Sequence, residues 1–400
     1  MASLETRPNV VVVMTTQWRA QATGYGGDGN ATTPFLDSLA EESIDFFQAV
    51  TPHPMGVFAR AAFLTGLSSP DNGVASYFDS LPENATTIAH RFGERGYDTA
   101  FFGKWQLYER NQDAPLVGVD HALIEVPENR RGGFQFWEGF ESGFLLNDGY
   151  YHGTEIGPPT RIDGYQSDVI AGRWGCYLES KVRENPVFAW ISLDAPHPPY
   201  SEKAPGVIAR LPESVALPGQ VPCDPAIQET ARRELAGYYN HIEGTDRAIC
   251  AICDEIKNWL DWENTIFVFT SAHGDMHGSC GYFRKGWPHE ESVRVPFLFA
   301  WPGKFKEARR DPLLISLLDL GPSLLRLCFP SERFDFGSKN AGNDLSSAIL
   351  LEAEGPELQS MSMPSVAPFD KQCPYAWRAS RRIDKTEVLR EDGTRFSLDH

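Results

Sequence analysis

The sequence of 400 residues lacks the features that mark several classes of protein. It contains no run of about 18 consecutive apolar residues, which a membrane-spanning helix requires. No apolar leader precedes the first predicted strand, Val10–Met14, and on this ground we expect a cytoplasmic protein without a secretory signal. Internal repeats and low-complexity tracts are not found either. These absences favour an ordinary globular protein with no membrane partner.

Positive charge is scarce. The chain has 36 lysines and arginines against 54 aspartates and glutamates, which gives a formal net charge of −18. A protein with this excess of negative charge does not attract nucleic acid or anionic membranes through its overall field. We therefore expect no nucleic-acid partner, and any anion that the protein binds must be held by a local cluster of cations.

Cysteine is also sparse, and the pattern is irregular. The seven cysteines are odd in number and scattered, which favours reduced thiols over a disulfide framework. Cys250 and Cys253 form a C-x-x-C pair without a partner pair, inside a predicted long helix. We interpret both as core thiols rather than as a metal or redox site.

Short apolar runs alternate with amphipathic segments, a pattern typical of a sheet covered by helices on both faces. Helices are predicted to begin at Pro34, Val57 and Thr86, and the longest runs from about Ala226 to Trp259 with one apolar stripe. The predicted strands are Val10–Met14, Thr99–Phe102, Val187–Ser192, Ile266–Thr270 and Phe297–Ala300. The fold class is therefore α/β.

Two segments differ from this pattern in composition. Gly132 to Gly153 is rich in glycine and aromatic residues, which indicates either a folded surface insertion near a ligand mouth or packing residues. Residues 330–369 are polar and rich in proline, glycine and serine, and Ala376–Leu398 is predicted to form short strands around a turn at Glu391–Gly393. We predict an α/β domain over 1–328 and a small C-terminal α+β subdomain over 329–400.

A series of separated motifs follows one order along the chain. It resembles the sulfatase family, with matches from about Arg7 to Leu325. The matching segments are Arg7–Val10, Thr33–Ala40, Arg60–Gly66, Phe102–Trp105, Asp194–Tyr200, Phe269–Met276, Lys285-Gly286, Glu290–Pro296 and Trp301–Gly303. One such match alone would be weak evidence, whereas this many matches in the same order are very improbable by chance.

The resemblance implies an α/β/α sandwich with a large mixed sheet and a smaller antiparallel sheet, and it implies hydrolysis of sulfate esters. The family uses a cysteine converted to formylglycine as its nucleophile. It also uses a calcium ion, held by an Asp-Asp pair after the first strand and by an Asp-Asn or Asp-His pair after a later strand. An arginine, two lysines and two histidines complete the family's site.

The nucleophile position departs from the family pattern. The modified cysteine stands four residues before the arginine of a C-x-P-x-R motif, and counting back from Arg60 that position is Gly56. Phe58 occupies the proline position. Glycine has no side chain, so neither formylglycine nor another covalent intermediate can form there. We therefore predict no catalytic residue of the family type.

The metal positions depart as well. The family's Asp-Asp pair falls on Thr15 and Thr16, and the later aspartate falls on Ala272. Calcium takes six to eight oxygen ligands with carboxylates among them. We therefore expect no bound metal and no cofactor. A family histidine is replaced by Gln106, which keeps a hydrogen-bonding group but cannot transfer protons near neutral pH.

Against these losses stand five retained residues that bind negative charge in the family: Arg60, Lys104, His197, His273 and Lys285. Losing three carboxylates and one calcium changes the charge of the site by about +1, so the retained cations are less compensated. The predicted helix start at Gly56 adds free N–H groups. Each retained residue also has a structural alternative, as a brace, a solvated strand end or surface charge. We interpret Asp275, Thr15 and Thr16 as turn residues.

Three functions remain open. The first is a catalytically inactive sulfatase relative with a metal-free pocket for a small anionic or sulfated ligand, such as a sulfated carbohydrate. The second is a sulfuric or phosphoric ester hydrolase of altered mechanism, with His197 or His273 as general base. The third is a scaffold or regulatory subunit that uses the aromatic stretch Phe134–Tyr151 as an interface. We favour the first, because the losses fall on the groups that do chemistry.

Overall fold

The computed structural model describes residues 7–180 and 184–400. Its strands are β1 Asn9–Thr15, β2 Ile44–Phe46, β3 Asp98–Lys104, β4 Phe136–Phe140, β5 Tyr150–Gly153, β6 Gly157–Arg161, β7 Val187–Ser192, β8 Thr265–Ser271, β9 Phe297–Ala300, β10 Arg309–Asp311, β11 Gln359–Met363, β12 Trp377–Arg381, β13 Lys385–Arg390 and β14 Arg395–Asp399. Its α-helices are α1 Pro34–Ala40, α2 Gly56–Thr65, α3 Ile88–Gly93, α4 Val119–Ala122, α5 Gln166–Glu179, α6 Pro225–Trp259, α7 Glu290–Val293, α8 Leu317–Cys328 and α9 Ser346–Ile349.

The first ten strands form one mixed sheet in the order β10-β2-β9-β8-β1-β7-β3-β4-β5-β6. Strands β8, β1, β7, β3 and β4 are parallel to one another, and the outer strands add antiparallel pairs on both sides. The remaining four strands form a separate antiparallel sheet. The predicted α/β class, with a large mixed sheet and a small C-terminal antiparallel sheet, is confirmed.

The central strands are buried on both faces. In β1, Val10 and Val12 face one core with residues of α2, α3 and α8, while Val11 and Val13 face the other with α1, α5 and α6. This explains the unbroken run of apolar residues, because a strand covered on both sides has no polar face. The apolar stripe predicted for the long helix is buried along its length in α6.

The small sheet packs on the first of these cores, through Met361, Met363, Trp377 and Val388. The helix α8 ends at Cys328, and the small sheet begins at Gln359. The domain boundary at 328 stays a prediction, because the small sheet shares a core with the main sheet and a shared core alone does not show where one domain ends.

All seven cysteines lie in the described ranges, and none of them forms a disulfide. Within those ranges, no helix has the length and apolarity that crossing a membrane would need.

One of the two interpretations of the glycine- and aromatic-rich segment, a surface insertion, is wrong for part of that segment. Within the segment from Gly132 to Gly153, residues Phe136–Phe140 are not a surface insertion, because they form strand β4 of the main sheet and pair with Ala100–Lys104. Gly139 allows close approach of the neighbouring strand, because a Cβ there would lie 2.1 Å from the carbonyl oxygen of Gly103. Phe134, Trp137 and Phe140 are buried, which is the packing alternative.

Candidate anion-binding site

The candidate site lies where four parallel strands end. Thr15 closes β1, Lys104 closes β3, Asp194 follows β7, and Ala272 with His273 follows β8. The carboxyl ends of parallel strands meet at one edge of a sheet, which is where ligands bind in α/β folds. The sheet topology therefore brings these residues together from positions far apart in the sequence.

A small cavity occupies this edge of the sheet. It is about 10 Å³ in volume, which is room for about one water molecule. Its lining includes Lys104, His197, His273 and Lys285 of the predicted cluster, and Thr16, Gly56 and Gln106 of the altered family positions. Arg60 contacts two lining residues, Thr16 and Gln106. Thr15 and Ala272 are buried beside the cavity but do not line it.

Gly56 lies at the start of α2, as predicted. The helix begins there without a side-chain cap at Met55. A Cβ on Gly56 would lie 2.5 Å from Gln106 Oε1 and 2.9 Å from Arg60 Nη1. The space that a nucleophile would need is therefore filled by a neutral amide and a guanidinium group.

Arg60 is fully buried and makes no ion pair with a carboxylate among the described residues. Its Nη2 donates to Thr16 Oγ1 at 2.7 Å and to Ser192 Oγ at 3.3 Å, and its Nε has no partner. Burial lowers the pKa of Arg60 to about 10, against the opposing effect of Asp194. The guanidinium is thus a buried cation held by neutral hydroxyl groups.

Lys104 has the one close carboxylate partner in the cluster. Its Nζ lies 2.7 Å from Asp194 Oδ1, with both side chains buried, and 4.2 Å from the centroid of the Phe144 ring. Burial lowers the pKa of Lys104 to about 8, although Asp194 opposes this shift. Asp194 Oδ2 remains without a hydrogen-bond partner.

Lys285 comes from the loop between β8 and α7. Its Nζ donates to Gln17 Oε1 at 2.5 Å and to His197 Nε2 at 2.8 Å. No carboxylate among the described residues pairs with it directly. Burial and the nearby charge of Lys104 hold the pKa of Lys285 well below its usual value.

The two histidines are neutral donors at Nδ1. His197 Nδ1 lies 2.7 Å from the carbonyl oxygen of Pro198, and His273 Nδ1 lies 2.9 Å from that of Gly274. A carbonyl oxygen can only accept, so the proton is on Nδ1 and the lone pair on Nε2. His273 lines the cavity, and its Nε2 is buried without a partner among the described residues. Burial, with Lys285 next, lowers the pKa of both histidines well below the usual value.

The residues at the family's calcium positions do not supply a calcium site. The Thr15 hydroxyl donates to Thr270 O at 3.2 Å, and the Thr16 hydroxyl lies between Arg60 and Leu193 O. The side chain of Ala272 has no ligand atom. Over residues 7–180 and 184–400, no group of three or more His, Cys, Asp or Glu side chains is arranged to hold a metal ion. A guanidinium beside Thr16 also disfavours a cation there.

Sequence reasoning missed four residues of the site. Asp194 pairs with Lys104, Gln17 accepts from Lys285, and the ring of Phe144 stacks on His197 with centroids 4.4 Å apart. Asp275, interpreted as a turn residue, is buried and accepts hydrogen bonds from Gln17 and Tyr200, although it also accepts from the His277 N–H as a turn residue does. Asp194 and Gln17 could have been noticed in the sequence, since Asp194 is the first residue of a matched segment and Gln17 directly follows the altered family positions Thr15 and Thr16.

The family of this chain follows from its similarity to known proteins. The sulfatase family model matches residues 8–328. An ulvan-active sulfatase of Formosa agariphila is 33% identical over 405 aligned positions, which span 99% of this chain and 75% of the relative. The chain belongs to the sulfatase family. The predicted resemblance is confirmed.

Two solved structures of this sulfatase fold share the architecture. One was solved with its substrate D-glucosamine-2-N,6-O-disulfate, and it matches with a TM-score of 0.83 and 18% identity over 98% of this chain and 91% of its own. The other is a phosphonate monoester hydrolase of Agrobacterium radiobacter, with a TM-score of 0.72 and 18% identity over 98% of this chain and 89% of its own. At this identity the likeness concerns the fold.

Proposed function

We propose that this sulfatase-family chain binds a sulfate group without hydrolysing it by the family's covalent route. The observation that carries the proposal is the charge of the site: of three buried basic side chains, Arg60, Lys104 and Lys285, only Lys104 pairs closely with a carboxylate, Asp194, among the described residues. Buried charge without a partner is costly, and a bound anion would relieve that cost. The uncapped start of α2 adds N–H groups that favour an anion.

The side chains that the site lacks limit the reactions that it can catalyse. Gly56 offers no nucleophile, and the threonines and alanine at the metal positions offer no carboxylate. What remains can hold an anion but cannot form the family's covalent intermediate. In the proposal, Gln106 swings away from the space above Gly56 to admit the sulfate group, since the cavity is otherwise too small.

The similar proteins suggest a sulfated carbohydrate as the ligand of this chain. One relative is an ulvan-active sulfatase, and one structural neighbour was solved with a disulfated glucosamine. A pocket of this kind takes the sulfate group at the cation cluster, while the sugar lies outside it.

The test measures binding and turnover separately. D-glucosamine-2-N,6-O-disulfate, inorganic sulfate and unsulfated glucosamine are titrated by calorimetry, and released sulfate is followed by ion chromatography. We expect the sulfated probes to bind and no sulfate to be released. Lys285→Met should abolish binding, whereas Lys306→Met, at an exposed lysine paired with Glu263, should leave it unchanged. Failure of every sulfated probe to bind the folded protein would refute the proposal.

One observation favours a second candidate, ester hydrolysis by an activated water. His273 lines the cavity, and the free lone pair of its Nε2 can accept a proton from a water molecule. That water would attack sulfur or phosphorus, and the ester oxygen would leave with a proton from Lys104 or Lys285. Sulfate release that falls at least about 100-fold in His273→Ala would establish this candidate in place of the first.

A further inference from the structure

A second cavity, much larger than the first, lies on another part of the fold. It has a volume of about 410 Å³, within the range of small-molecule pockets of about 300–1,000 Å³. Its walls come from the loop after β1, from β2 and α6, and from the segment after α7. Gly26, Gly27 and Gly29 on its rim are exposed. None of its lining residues lines the cavity of the anion site.

Arg19 gives this cavity hydrogen-bond donors. The side chain is 2% exposed, and its Nη2 donates to the Tyr239 hydroxyl at 3.2 Å. Its Nε and Nη1 have no partner among the described residues. Buried polar atoms in folded proteins are nearly all hydrogen-bonded. Two unpaired N–H-bearing atoms on a residue that lines the cavity are therefore available to donate to a bound molecule.

Other residues that line the same cavity carry acceptors. Gln21 Oε1 is buried without a partner among the described residues, and the buried hydroxyl groups of Thr23 and Tyr25 have only each other as a poorly aligned partner. Residues that line the cavity therefore carry buried donors and buried acceptors that lack well-aligned partners among the described residues. A ligand rich in hydroxyl groups suits such a wall, because each hydroxyl both donates and accepts.

The charges of the wall are balanced. Three arginines face three carboxylates across the lining: Arg19, Arg294 and Arg310 against Asp28, Asp45 and Glu291. Arg310 lies 3.5 Å from Asp45. An ion of either sign would therefore meet like charge as well as opposite charge, and a neutral ligand avoids that conflict.

Aromatic rings complete the lining. Tyr25, Phe47 and Tyr239 contribute their rings to the wall. Flat apolar rings pack against the C–H faces of pyranose sugars, while polar groups fix their hydroxyls. We propose that this cavity binds a neutral saccharide unit, through Arg19, Gln21 and Tyr25. The proposal goes beyond the anion site and does not depend on it.

The test uses variants that remove unpaired atoms and so break no hydrogen bond of good geometry in the free protein. Cellobiose, maltose, lactose and N-acetyl-D-glucosamine are titrated by calorimetry at up to about 10 mM into the full chain. Gln21→Met and Tyr25→Phe should each weaken saccharide binding at least about fivefold while the unfolding midpoint stays constant or rises. The matched control is Tyr151→Phe, since Tyr151 also has a buried, unpaired hydroxyl but lies away from this cavity.

Three outcomes would overturn the proposal. One is that no saccharide of the panel binds to the folded wild-type protein. The second is that Tyr151→Phe weakens binding as much as the two cavity variants. The third is that sodium acetate, phosphate or lysine competes for the cavity more tightly than the sugars, which would assign it to an ion. A loss confined to Gln21→Met and Tyr25→Phe supports it.

Discussion

Raising the pH should weaken sulfate binding at the anion site, because its lysines lose their protons at unusually low pH. Burial lowers the pKa of Lys104 to about 8 despite Asp194, and that of Lys285 lies well below its usual value. A bound sulfate supplies negative charge and raises both pKa values. The protonated protein is therefore the form that binds, and proton uptake accompanies binding.

The magnitude follows from Lys104 alone. Its pKa rises from about 8 in the free protein to the ordinary value of 10.5 if sulfate fully compensates burial. At about pH 8.5 the protonated fraction then rises from about 0.24 to about 0.99, an uptake of about 0.75 proton. Between about pH 6.5 and pH 9 the affinity should fall about tenfold. Lys285 adds to the fall in the same direction.

Calorimetry in two buffers of different ionisation enthalpy measures both quantities. Lys104→Arg provides the matched variant, because guanidinium stays charged across this range, and the fall in affinity should shrink while binding at low pH persists. Circular dichroism at each pH controls for folding. Affinity that stays constant or rises with pH, or release of protons on binding, would refute the reasoning.

Two further predictions concern stability, both measured by denaturant unfolding at neutral pH. Asp194→Asn leaves Lys104 buried without its carboxylate and should lower the free energy of unfolding by about 3–5 kcal/mol. The control Asp168→Asn breaks an exposed pair with Arg247 and should lower it by under about 1 kcal/mol. Equal losses of stability in the two variants would contradict the importance of burial. Gly56→Ala places a Cβ against Gln106 and Arg60 and should cost about 1–3 kcal/mol, whereas Gly172→Ala, exposed in α5 with open space around it, should stabilise by up to about 1 kcal/mol. A neutral Gly56→Ala would show that Gln106 already leaves the space free.

The main elements were predictable where the local pattern was strong. The β-branched run Val10–Val13 could only be a doubly buried strand, and the stripe of α6 follows one helical face over many turns. The strand inside the segment from Gly132 to Gly153 was not predictable, because Gly139 serves close strand packing rather than a turn. That requirement comes from β3, more than 30 residues away in the chain, as Gly139 shows against Gly103.

The candidate site was likewise predictable in part from the sequence. Motif positions alone identified Arg60, Lys104, His197, His273 and Lys285, and they identified Gly56 as a position without a nucleophile. The partners of these residues came from elsewhere: Lys104 pairs with Asp194, 90 positions later, and Lys285 donates to Gln17, 268 positions earlier. No local pattern encodes such distances, since they depend on which strands the sheet places side by side.

The sequence by itself determined the family, the alternation of strands and helices, and the chemical groups that the site has lost, because these depend on residue identity at given positions. The tertiary structure alone decided which cation of the site pairs with a carboxylate, how little space remains above Gly56, and that two nitrogens of Arg19 stay unpaired, among the described residues, beside a second cavity. Each of these is a contact between distant segments. Burial of charge, and therefore the pKa of each lysine, exists only after those segments have packed together.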